Sequence, residues 1–71
     1  MEDSRVTYLQ RYRKARNMSQ SELAEKVGMS VRTLQAIESG ARDINKVAAI
    51  TALKLAEALN CKIEDILELD K

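Results

Sequence analysis

Histidine, proline, phenylalanine and tryptophan are all absent from this 71-residue chain, and Tyr8 and Tyr12 are its only aromatic residues. Any core must therefore be aliphatic. With no histidine and a single cysteine, Cys61, the chain has no metal-ligand set, no nucleophile beside a base and no Gly-rich phosphate loop. Its carboxylates are scattered or gathered near the C-terminal end, so none suggests general acid–base work. An enzyme is not expected, and neither is a cofactor or a metal. A lone cysteine permits no intrachain disulfide, which fits a reducing compartment, and Cys61 is expected to be a small buried apolar residue. There is no secretory signal pattern, and no apolar run approaches the ~20 residues a membrane span needs. The expectation is a soluble cytoplasmic protein with no membrane partner.

What is present points to helices. The chain is rich in Leu, Ala, Lys, Glu and Arg without β-branched runs, and its two glycines, Gly28 and Gly40, are spaced like helix stops. The length suits one domain near the size at which a single core is marginal. That domain is expected over residues 4–69, with 1–3 and 70–71 frayed. Net charge is only +1, too small to imply a nucleic-acid partner by itself. Its distribution is more informative: Met1 to Lys46 hold nine Lys/Arg against six Asp/Glu, and Val47 to Lys71 hold three against five. A positive half is what phosphate binding requires, although an ordinary solvated surface gives the same count.

The most ordered stretch runs from Ser19 to Gly40. Ser19 and Glu22 have capping-box spacing, so a helix begins at about Gln20, and Met18 and Leu23 are placed as a hydrophobic staple. Gly28 follows Val27 where the apolar pattern stops, and Ser30 can cap a second helix that ends at Gly40. Leu23, Val27, Met29, Leu34 and Ile37 can pack together across the turn, with small Ala24 allowing close approach.

This stretch, with S-Q-x-E-L-A, the turn glycine and the closing I-E-S-G, resembles the helix-turn-helix of the lambda-repressor-like (Xre/Cro-type) DNA-binding family. The resemblance spans roughly residues 5 to 69. It implies an all-α, five-helix fold with the helix-turn-helix as helices 2 and 3, and it implies a salt bridge between Arg13 and Glu38. It also makes Gln20, Arg42 and Lys46 candidates for the DNA backbone; Thr33 and Ser39 are further candidates only because each carries a hydroxyl that can reach a phosphate. Solvated side chains are the plainer reading of Arg42 and Lys46.

Around that centre, Ser4 is a plausible cap for a helix 1 running to about Asn17, with Val6, Leu9 and Tyr12/Arg13 on one face. Arg11, Lys14 and Arg16 read as solvated. After the loop that follows Gly40, Asn45 or Asp43 is expected to cap a long helix 4 reaching Leu59, with Ala48, Ala52, Leu55, Ala56 and Leu59 toward the core. Val47, Ile50 and Leu53 form a second apolar line at i, i+3 and i+6, which predicts a homodimer interface unless helix 1 or the tail covers it. Asn60 ends that helix. Ile63, Ile66 and either Leu67 or Leu69 fit a short helix 5, and Glu68 and Asp70 make the tail acidic.

If Leu34 and Ile37 point inward, Val31, Arg32, Gln35 and Ala36 point outward, with Thr33 at the margin. The N-terminal residues of such a second helix reach base edges in the major groove. Arg32 can donate twice to guanine, Gln35 can pair with adenine, and Val31 or Ala36 can pack on a thymine methyl. The predicted function is a sequence-specific double-stranded DNA-binding regulator, a repressor bound as a homodimer to two half-sites. An antitoxin-like or phage-regulatory module that binds a protein partner is the alternative.

Overall fold

A computed structural model describes residues 7–69, which form five α-helices: α1 (Tyr8–Ala15), α2 (Gln20–Val27), α3 (Val31–Ser39), α4 (Ala49–Ala58) and α5 (Ile63–Ile66). A 3₁₀ turn, Ile44–Lys46, lies between α3 and α4, and the described residues contain no strand. The fold is all-α. Leu9, Leu23, Leu34, Ile37, Leu55, Leu59 and Ile66 make the fully buried centre, so every α-helix or its cap contributes an aliphatic side chain to one core. Met18, Met29 and Tyr12 pack against its edge.

The expected Ser4 cap and Val6 fall outside the described residues; the cap of α1 is Thr7, whose hydroxyl accepts from the Gln10 N–H at 3.2 Å. The same hydroxyl donates to the Glu38 carbonyl at 3.0 Å. The start of α1 is thereby pinned to the end of α3. This helix stops at Ala15, two residues short of the Asn17 expected, because Asn17 turns into the left-handed region at φ 56°. Arg16, expected to be solvated, is exposed, and in addition donates to the Leu59 carbonyl at the end of α4 and stacks over Tyr12. That bond satisfies one of the carbonyls a helix end leaves free.

In the central stretch local chemistry decides the ends. Ser19 N–H donates to Glu22 Oε1 at 2.8 Å and Glu22 N–H to Ser19 Oγ at 3.0 Å, closing the capping box. Gly28 sits at φ 75° with open space where a Cβ would stand. Backbone conformation, and not crowding, is what requires glycine there. Ser30 Oγ caps α3 by accepting from the Thr33 N–H at 3.1 Å.

The beginning of α4 differs from expectation. Asp43 caps the 3₁₀ turn instead, its carboxylate accepting from the Asn45 N–H at 2.9 Å. Asn45 turns its side chain to the C-terminal segment. With both candidate caps engaged elsewhere, Val47 and Ala48 stay extended and α4 starts at Ala49 without a side-chain cap. Val47 is therefore not on α4 and packs half-buried against the core, while Ala48 is exposed. Of the expected apolar line only Ile50 and Leu53 remain on the helix, 59% and 44% exposed.

Asn60 adopts φ 56° just beyond α4. Cys61 is half-buried and not fully enclosed; burial, then the Asp65 carboxylate, raises its thiol pKa, with Arg16 opposing. Past α5, Leu67 packs on the core and Leu69 is exposed. Glu68 does not extend an acidic surface tail, since it is buried and accepts from the Tyr8 N–H at 2.9 Å. That contact complements the free N–H groups and positive end of α1.

Candidate nucleic-acid interface

Helix α3 has one side locked and one side open. Leu34, Ile37 and Glu38 are buried, whereas Arg32, Gln35 and Ser39 are exposed. Val31, Thr33 and Ala36 are not fully open, and Val31 also packs against the core. The outward group expected from periodicity is therefore graded, with Arg32 and Gln35 standing clear and Val31 leaning inward.

The inner side is held by a buried ion pair. Arg13 Nε donates to Glu38 Oε2 at 2.6 Å and Arg13 Nη2 to Glu38 Oε1 at 3.1 Å, a fork that also fixes rotation. Arg13 Nη1 donates to the Met18 carbonyl at 2.7 Å, which ties the loop before α2 to the same pair. No buried side-chain polar atom among the described residues lacks a partner. The pair joins α1, the start of α2 and the end of α3 into one rigid corner.

From this corner a chain of amides leads outward. Gln20 Nε2 donates to Glu38 Oε1 at 3.1 Å, and Gln35 Nε2 donates to Gln20 Oε1 at 3.2 Å. Gln20 lies in the first turn of α2 and Gln35 in the middle of α3, so two of the candidate residues touch each other. Sequence spacing gives no hint of this link, because the contact exists only once the two helices are packed.

The hydroxyl candidates are engaged locally. Thr33 Oγ1 accepts from Ser30 Oγ at 2.9 Å, and Ser39 Oγ donates to the Ala36 carbonyl at 3.2 Å. Arg42 and Lys46 are exposed beyond α3 and line an open cleft of about 600 Å³ between the helix-turn-helix and α4. Lys54 of α4 lines the same cleft. Nothing in the sequence places it near Arg42. Three cations on one cleft, with Asp43 as the acidic member, give a locally positive surface beside α3.

Ile50 and Leu53 lie one turn apart on α4 and are not candidates for a nucleic-acid contact, being large, apolar and exposed. Among the described residues there is no group of three or more Cys, Asp or Glu that could hold a metal. No helix there is long and apolar enough to cross a membrane.

A helix-turn-helix family model matches residues 9–66 of this chain. The chain belongs to the lambda-repressor-like (Xre-type) helix-turn-helix family. A curated member, an uncharacterized HTH-type transcriptional regulator of Methanocaldococcus jannaschii, is 41% identical over 58 residues, covering 82% of this chain and 83% of its own. The crystal structure of the restriction-modification controller protein C.AhdI from Aeromonas hydrophila superposes with a TM-score of 0.75 at 30% identity, covering 84% of this chain and 86% of that one.

Proposed function

We propose that this chain is a sequence-specific double-stranded DNA-binding transcriptional regulator of the cytoplasm that acts as a homodimer and represses by occupying an operator of two half-sites. The observation that carries this reading is the exposure of Arg32 and Gln35 on a helix whose opposite side is clamped by the Arg13–Glu38 pair. A rigid mount matters because base readout requires hydrogen-bond groups at set positions in the major groove. Arg32 donates to guanine O6 and N7, Gln35 pairs with adenine, and Val31 and Ala36 offer methyl surface to thymine. Arg42, Lys46 and the first turn of α2 at Gln20 approach phosphates, with Thr33 and Ser39 contributing where their local bonds can be exchanged. The similarity to a transcriptional regulator and to a controller protein supports a regulatory role rather than an enzymatic one.

The dimer joins through α4, where Ile50 and Leu53 expose apolar surface that water opposes. Val47 contributes at most the edge of that surface. The half-sites of such an operator lie about one DNA turn apart, ~34 Å, a spacing the two α3 helices of the dimer must match. The same apolar surface favours the second reading, a module that binds another protein through α4 or the tail.

Binding to duplex DNA at several salt concentrations separates the two. A steep fall of log K with log salt supports DNA binding, since each neutralised phosphate releases counterions. Absence of measurable affinity at low salt contradicts it and favours the protein-interaction module.

A further inference from the structure

We propose that the cleft between the helix-turn-helix and α4 binds a small amphipathic organic anion, an apolar body carrying two negative charges, and that this ligand competes with DNA; the competition rests on the phosphate contacts proposed above for Arg42 and Lys46. The cleft holds about 600 Å³, and small-molecule sites run from roughly 300 to 1,000 Å³. Neither Ile50 nor Leu53 lines it. It is therefore distinct from the apolar surface assigned to the dimer.

The cleft exists because α4 starts late. With Asp43 capping the 3₁₀ turn and Asn45 turned to Glu68, Val47 and Ala48 run extended and present only short side chains to the opening. The lining divides by chemistry. Val27 and Ile37 are buried and Met29 and Val47 half-buried, which makes an apolar floor, while Arg42, Lys46 and Lys54 stand exposed around it. Among the described residues none of these three cations has an ion-pair partner. Asp43, the acid of the cleft, already accepts from the Asn45 N–H, and its single charge leaves the cations in excess.

Three like charges on one concave surface repel one another, and a dianion placed among them relieves that repulsion. Inorganic phosphate would supply the charge but leave the floor in water. A neutral apolar molecule would cover the floor but take water from the cations without pairing them. Both requirements are met when the apolar body and the charges belong to one molecule. Such a ligand neutralises Arg42 and Lys46, and the counterion release that these cations contribute on duplex DNA is lost. The chain then carries its own means of release from an operator.

The probe is naphthyl phosphate, a bicyclic body with a dianionic group, titrated into the full chain and followed by backbone amide NMR shifts. Saturating shifts are expected at Gly28, Met29, Arg42, Lys46 and Thr51, with inorganic phosphate and naphthol each weaker by about tenfold or more. Lys54→Glu changes an exposed residue and leaves the core untouched. It is expected to weaken the probe by about tenfold or more. Shifts centred on Ile50 and Leu53, equal affinity for inorganic phosphate, or unchanged binding by Lys54→Glu would each overturn the site. In a second arm, saturating probe should lower affinity for duplex DNA by about threefold or more beyond inorganic phosphate at equal ionic strength, in the wild type and not in Lys54→Glu. A filled cleft with undiminished DNA affinity would support the site and contradict the phosphate role of Arg42 and Lys46. A chain that binds no DNA would sink the competition, and the shifts would still decide the site.

Discussion

Asn45 and Glu68 close a two-bond ring across the fold: Asn45 Nδ2 donates to the Glu68 carbonyl at 3.0 Å, and the Glu68 N–H donates to Asn45 Oδ1 at 2.9 Å. The Glu68 carboxylate then reaches the Tyr8 N–H, so one C-terminal residue fastens both the 3₁₀ turn and the start of α1. Asn45→Asp keeps the acceptor but removes the donor and places a carboxylate beside a carbonyl. Because Asn45 is exposed and its bonds to Glu68 are only partly buried, this change is expected to cost about 0.5–1.5 kcal/mol, the net worth of one hydrogen bond. Urea unfolding measures it, and unchanged stability would show that the ring contributes nothing.

Breaking the Arg13–Glu38 pair from one side should be more damaging than removing both partners. Arg13→Met leaves the almost fully buried Glu38 without its cation and is expected to destabilise by about 3–5 kcal/mol. Arg13→Met with Glu38→Leu should regain part of that loss, because an apolar pair needs no compensation for lost hydration. DNA binding should remain impaired in the double variant, since the mount of α3 and the anchor of Gln20 are both gone. A double variant no more stable than Arg13→Met in urea unfolding would contradict this account of the pair.

Ile50→Glu together with Leu53→Glu is expected to give a monomer by sedimentation velocity with helical content retained. Both positions are too exposed for their loss to open the core. Affinity for a two-half-site duplex should fall much further than affinity for a single half-site. A variant that sediments like the wild type would remove α4 from the interface.

Arg42→Ala and Lys46→Ala should each flatten the dependence of log K on log salt, by about 0.9 for every phosphate left without its cation. Base preferences should not change, because phosphate contacts carry no sequence information directly. An unchanged slope for both variants would mean that these cations stay solvated in the complex.

The parts of this fold legible in the sequence are those that neighbours within a few residues decide. Ser19 with Glu22, Gly28, Ser30 and Gly40 mark helix ends because each cap or left-handed turn is closed locally. Helix periodicity likewise separates buried Leu34 and Ile37 from exposed Arg32 and Gln35. The start of α4 is not legible, since Asp43 and Asn45 are both suitable caps and only the 3₁₀ turn and Glu68 reveal where their side chains go. The same applies to Glu68, whose partner Tyr8 is sixty residues away, and to Arg16, which serves the end of α4. For the candidate site, the Gln20–Gln35 contact and the convergence of Lys54 with Arg42 and Lys46 depend on packing and have no local signature.

Base reading by the exposed side of α3 is put at stake by the single substitution Arg32→Ala. Binding sites selected from random duplexes by the wild type and by the variant should differ at one base pair in each half-site. There the guanine preference, expected to be worth about 1–3 kcal/mol, disappears while the remaining positions keep theirs. Selected sites identical for the two proteins would contradict it.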